Sequence, residues 1–250
     1  MDSMPQSPIH RIPSCLLARI ALSPPVIPAA ASSARVLLFS KTAGFRHDSI
    51  PTAIATLTHL AREAAMTVDA TEDAAAFTPA NLARYRVVVF ASTTGNVLDT
   101  TQQRAMEGFI RAGGGFVGVH AAADTGYDWP WYGQLVGARF QDHPPGLQHS
   151  RVQPERDGQP DGTAWPVHDE FYNYDANPRG RVQVIATIDE QWYDGGRMGA
   201  DHPIAWHHAF DGGRAWYTGL GHTDAMFAQP EFIEQLRRGL AYAAGRDDAG

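Results

Sequence analysis

The chain has 250 residues, 44% of them apolar, enough for one large α/β domain with insertions and short of two full domains. Its 27 acidic residues outnumber 20 scattered Lys and Arg for a net charge of −7, so there is no electrostatic footprint for nucleic acid, and a small, neutral ligand fits better. The only cysteine, Cys15, excludes an intrachain disulfide and a thiolate metal cluster, and no apolar run reaches the roughly 18 residues of a membrane-spanning helix.

Residues 1–34 are rich in Pro, Ser and Ala and lack periodicity, and they read as a disordered leader ahead of a domain over 35–246. Arg19 and Pro24-Pro25 interrupt the only candidate apolar segment of a signal peptide, whereas Ala29-Ala30-Ala31 keeps export open beside a cytoplasmic location. Arg35 to Ser40 (RVLLFS) is a short apolar run expected as a buried strand. A loop follows, then a helix with Pro51 in its first turn, Ser49 as a candidate cap, and Ile54, Leu57, Leu60 and Ala61 on the buried stripe. Thr67 to Ala70 reads as a strand, Pro79 to Tyr85 as a short helix, Arg86 to Ala91 (RVVVFA) as a strand and Thr100 to Ala112 as a helix. Gly113-Gly114-Gly115 ends that helix, and the Phe116 to His120 strand follows. It is not a phosphate loop, because it precedes a strand instead of opening a helix.

From Asp124 to Pro203 the pattern loses regular periods and becomes rich in aromatics and proline, which predicts long insertions carrying the site. Val182 to Ile188 and Arg214 to Thr218 are expected strands, and Glu231 to Ala244 an amphipathic closing helix. The alternation predicts a three-layer α/β sandwich with a mostly parallel central sheet.

In such a sheet the ligand crevice lies beyond the carboxyl ends of the strands. Each of three strand-end loops supplies one histidine: His47 after the first strand, His120 after the RVVVFA-to-FVGVH unit, and His222 after the last strand. The segments Gly44-Phe45-Arg46-His47, Gly118-Val119-His120-Ala121-Ala122, His168-Asp169-Glu170-Phe171-Tyr172, His202-Pro203-Ile204-Ala205-Trp206 and Tyr217-Thr218-Gly219-Leu220-Gly221-His222 occur in order across about 36 to 245. Together they resemble the ThuA-like (trehalose-utilisation) family. The resemblance implies a flavodoxin-like, class I glutamine amidotransferase-like fold and a connection to catabolism of trehalose-type disaccharides or 3-keto sugars.

A glutaminase of that fold carries cysteine on a strained strand-to-helix elbow. This chain places His120 there, Cys15 lies far upstream, and His222 is similar to the amidotransferase base; glutamine hydrolysis is therefore disfavoured. Two chemistries remain for the histidines. His47, His120 and His222 hold a divalent metal such as zinc, with Glu170 available to join them, or they act without metal as acid/base groups beside the Glu170 carboxylate. The surroundings of Glu170 (Phe171, Tyr172, Tyr174) suggest partial burial and a raised proton affinity.

Trp129, Trp131, Tyr172 and Trp206 are candidate stacking partners for a sugar, with Asp224 a further candidate substrate contact; the tryptophans suit packing of the insertion equally well. Structural loop roles are expected for His149, His207 and His208, while His143 and His202 match family positions. The sequence thus points to a sugar-modifying enzyme of lyase or hydrolase type, with a small carbohydrate as partner, no nucleic acid or membrane, and homo-oligomerisation left open. The alternative is a non-catalytic carbohydrate-binding or subunit-association module on the same fold.

Overall fold

A computed structural model describes residues 34–246; the leader and Cys15 lie outside the described residues. In chain order the elements are β1 (Arg35–Phe39), α1 (Ile50–Glu63), β2 (Thr67–Thr71), α2 (Pro79–Leu82), β3 (Val87–Ala91), α3 (Thr100–Arg111), β4 (Gly115–Val119), α4 (Pro130–Val136), β5 (Phe140–Asp142), β6 (Gln148–Arg156), β7 (Gln159–Pro160), β8 (Trp165–Asp169), β9 (Asn173–Tyr174), β10 (Gln183–Ile188), β11 (His202–Phe210), β12 (Gly213–Thr218) and α5 (Pro230–Ala244). Most expected elements differ from these by only a residue or two at each end.

The main sheet has the order β2-β1-β3-β4-β12-β11-β10-β6-β7, with β8 paired to β6. Its first five strands run parallel, as the pairings β1–β2, β1–β3, β3–β4 and β4–β12 show. That 2-1-3-4-5 arrangement is the flavodoxin-like order. Period-two alternation divides the strand side chains between two cores. Val36 and Leu38 face α1 and α5, through Leu57, Leu60, Leu236 and Leu240, whereas Leu37 and Phe39 join Met106, Phe109 and Tyr132 of α3 and α4 on the opposite face. Both faces of β3 and β4 are buried, which is why these strands read as unbroken apolar runs.

The region from Asp124 to Pro203 departs from the insertion-loop expectation. Besides the expected strand β10 it contains β6 and β8, and together these extend the sheet antiparallel through β11. Their burial alternates, β8 between buried and exposed and β10 between buried and half-buried, so alternate positions reach toward solvent and the sequences are diluted with polar side chains. His149, His207 and His208 consequently sit on strands β6 and β11, not in loops.

Two local expectations also change. Pro79–Leu82 is a single turn ending three residues before Tyr85. Ser49 occupies the cap position of α1 without capping it; its hydroxyl donates to the Gly221 carbonyl at 3.0 Å, tying the loop after β1 to the loop after β12. At the end of α3, Gly113 adopts φ +91°, the conformation its place in the glycine run suggested.

Candidate active site

Three strand ends build the centre. The chain leaves β4 at Val119 and turns sharply, with His120 at φ +50°, into a short 3-10 segment over His120–Asp124. Positive φ costs a residue with a Cβ about a kcal/mol or more, and here the Tyr217 hydroxyl pins the turn by donating to the His120 carbonyl at 2.9 Å. The imidazole is fully buried, and its Nδ1 lies 2.8 Å from the Gly219 carbonyl. Nδ1 must therefore carry the proton, which leaves the Nε2 lone pair facing the pocket. Gly219 is required for this approach, because a Cβ there would lie 2.2 Å from the Tyr174 hydroxyl.

Four groups converge on that lone pair. His120 Nε2 lies 3.2 Å from His47 Nε2, 3.2 Å from His222 Nδ1, 3.2 Å from the Tyr172 hydroxyl and 3.5 Å from Glu170 Oε2. His222 Nδ1 is 3.3 Å from the same Glu170 oxygen, and the donor atoms of His47, His120, Glu170 and His222 all fall within 4.8 Å of one another. The loop carrying His222 is fixed by buried Asp169, whose carboxylate accepts the backbone N–H groups of Gly221 at 2.7 Å, His222 at 3.3 Å and Thr223 at 3.2 Å. Burial pushes the Asp169 carboxyl upward while these N–H groups and His120 pull it back.

The electrostatics prepare a neutral imidazole beside an ionised carboxylate. Burial, reinforced by His120 and His222, lowers His47 to about 3, and its Nδ1 is buried without a partner. For Glu170, burial acts upward but is overcome by the neighbouring imidazoles of His120 and His222, so its carboxyl sits below the usual range; the sequence expectation of a raised proton affinity is corrected. His222 is raised, first by its bond to Glu170 and against its own burial. Burial drives the Tyr172 hydroxyl well above its ordinary value, so it is a donor at any physiological pH.

The donor set fits a divalent transition metal. A tetrahedral zinc site with bonds of about 2.0–2.1 Å has ligand-to-ligand edges of about 3.3–3.4 Å. Four of the six edges, at 3.2, 3.2, 3.5 and 3.3 Å, match that figure, and all donor atoms lie within 4.8 Å of one another.

Other expected contacts separate. Trp206 is fully buried and donates to the Val136 carbonyl at 2.8 Å; Trp129, also buried, stacks on Trp131 and Tyr132. These rings pack the α4 region onto the sheet, so stacking of a sugar on Trp129 or Trp206 is corrected. Tyr172 is buried and offers only its hydroxyl. Asp224 is exposed at the start of a 3-10 turn and lines a cavity together with His222.

The sequence passed over three contributors. His143 brings Nδ1 to 3.2 Å from Glu170 Oε1. Asp124, hydrogen-bonded by Tyr127, is raised by its burial and lies within the field of His120 and Glu170. His202 is fully buried with Nδ1 2.8 Å from Glu190 and Nε2 3.0 Å from the Tyr172 carbonyl, and so braces the segment that presents Glu170 and Tyr172. The Glu190 carboxylate is itself held by the N–H groups of Met198 and Gly199 at 2.8 and 2.9 Å. The His-Pro pairs at 143 and 202 were the available signal.

A flavodoxin-like sheet with histidine at the elbow defines an amidotransferase-like α/β domain lacking the elbow thiol. The family described as trehalose utilisation, ThuA, matches residues 35–243, and the chain belongs to it. A ThuA-like protein from Bacteroides uniformis is similar at 20% identity and TM-score 0.69 over 90% of this chain and 98% of its own. One from Parabacteroides merdae is similar at 19% identity and TM-score 0.67 over 85% of this chain and 90% of its own. A β-galactosidase from Bacillus circulans sp. alkalophilus shares 13% identity at TM-score 0.53, with 86% of this chain overlying 31% of the enzyme. At these identities the likeness is one of fold. No curated protein matches the chain.

Proposed function

We propose that this protein is a metal-dependent enzyme of carbohydrate catabolism acting on a trehalose-type disaccharide or its 3-keto derivative, without glutaminase activity. The observation that carries the reading is the convergence of His47, His120, His222 and Glu170 donor atoms within 4.8 Å, on a scaffold whose family is tied to trehalose utilisation. When bound, a divalent ion supplies Lewis acidity to a sugar hydroxyl or carbonyl oxygen.

The chain's own residues do the rest. His120 is locked by Gly219 in the tautomer that presents Nε2, and His47 stays neutral for the same purpose. The Tyr172 hydroxyl donates a hydrogen bond into the pocket. His143, 3.2 Å from Glu170 Oε1, stands close enough to carry a proton to or from a substrate oxygen. The loss of a thiol at the elbow removes the thioester route on which glutamine hydrolysis depends.

The test is conversion of 3-keto-trehalose followed by chromatography. Turnover should vanish after chelation and return on adding zinc or another divalent transition metal. Undiminished turnover by the chelated protein, or failure to convert any sugar once metal is restored, contradicts the reading.

A further inference from the structure

His47, His120 and Glu170 are buried, and the centre opens on one side past His143, its side chain 36% exposed, and on another past His222, 25% exposed. There His222 lines a cavity of about 250 Å3 with Phe45, Asp48, Leu147, Thr223 and Asp224. A second cavity of about 190 Å3 shares Leu147 and Thr223 and continues the groove toward Val167 and Met226. Phe45 is 67% exposed and Leu147 39%, although both sit beside a polar centre instead of in a core. The Phe45 ring meets His47 edge-on at 4.9 Å, so its position is coupled to a residue of the centre.

We infer that this groove is the subsite for the second ring of a neutral disaccharide whose first ring reacts at the histidine cluster. The inference rests on the sugar reading above and deepens it. A pyranose has apolar C–H faces and a hydroxyl-bearing edge. Phe45 and Leu147 offer apolar surface for the faces, and the exposed Asp48 and Asp224 carboxylates accept hydrogen bonds from the hydroxyls.

The charges select against a phosphorylated sugar. Among the described residues no Lys or Arg lines either cavity, so a phosphate there would face the Asp48 and Asp224 carboxylates without a permanent cation beside it. Arg46, next to Phe45 in sequence, is held in a two-pronged pair by Glu72 at 2.7 and 3.2 Å.

The experiment is calorimetric titration of the zinc-loaded full chain with trehalose, 3-keto-trehalose, trehalose 6-phosphate, glucose and 3-ketoglucose. The subsite predicts that a disaccharide binds at least about tenfold more tightly than its matching monosaccharide and about tenfold more tightly than the phosphorylated form. Phe45→Ala should cost the disaccharides about tenfold and leave the monosaccharides unchanged, while Phe45→Trp retains the affinity. Unaltered zinc content in both variants shows that the centre is intact. Equal binding of one- and two-ring sugars, or indifference to Phe45→Ala, overturns the subsite and leaves the enzyme reading standing. Absence of binding by every sugar overturns both.

Discussion

The parallel half of the sheet and its antiparallel wing contribute differently to the same centre. The parallel strands β1, β4 and β12 end in the loops of His47, His120 and His222, the three imidazoles. The wing, entered through β8, contributes the carboxylate of Glu170 and the hydroxyl of Tyr172 from the segment after β8, while His143 follows β5. The strands of the parallel half are buried on both faces, whereas the wing segment is held at two points, by Asp169 bonded to the His222 loop and by His202, which pairs with Glu190 and meets the Tyr172 carbonyl. The parallel frame thus fixes the basic donors, and an arm tied to it through Asp169 and braced by His202 brings in acid and hydroxyl.

The sharpest way to break this comparison is to remove one group from each side. His120→Ala deletes the atom on which all the others converge and should lower metal affinity by well over about 100-fold, measured by competition with a chromophoric chelator. Glu170→Gln removes the wing's charge and should cut turnover about 10²–10⁴-fold while the fold persists by circular dichroism. A smaller loss in Glu170→Gln than in Tyr172→Phe would mean that the wing's carboxylate is not its principal contribution.

His202→Asn probes the brace without touching the centre, because His202 reaches the site only through the Tyr172 backbone. Turnover should fall about tenfold to hundredfold with metal content unchanged, a split that simple unfolding does not produce. Trp206→Ala separates packing from recognition: burying its whole ring predicts a stability loss of about 3–5 kcal/mol in denaturant titration, with KM unaltered in the folded fraction. A raised KM would return Trp206 to the substrate.

The smallest expected effect concerns pH. In the metal-free protein His222 holds its proton more tightly than an ordinary histidine because of Glu170, so protons compete with metal there. Metal affinity should therefore keep rising with pH above about 6.5, the ordinary histidine value, with proton release on loading, until His222 is deprotonated. His47, lowered to about 3, is already neutral throughout that window and adds nothing to the slope.

Legibility followed the same division. Strands buried on both faces appear as short apolar runs such as VVVFA and GFVGV, and the strand-end rule then picked out His47, His120 and His222. Most of the wing was opaque because its half-exposed strands mix polar with apolar residues, so β6 and β8 read as irregular insertion, and only β10, with its run QVIATI, stood out as a strand. The aromatic residues misled for a related reason. Composition cannot tell a tryptophan that seals α4 against the sheet from one that meets a ligand, and Trp129 and Trp206 are of the first kind, whereas the exposed ring beside the centre is Phe45. His202 stood at a family position, but its bracing role was opaque because its two bonds run to Glu190 and to a backbone carbonyl, neither visible without the fold.

Elemental analysis of the protein purified without chelator, alongside His120→Ala prepared identically, addresses the central claim most directly. The four-donor centre predicts close to one divalent transition metal per wild-type chain and none in the variant. A wild-type protein that stays metal-free even after incubation with zinc, or a variant that carries the same metal load, would contradict it.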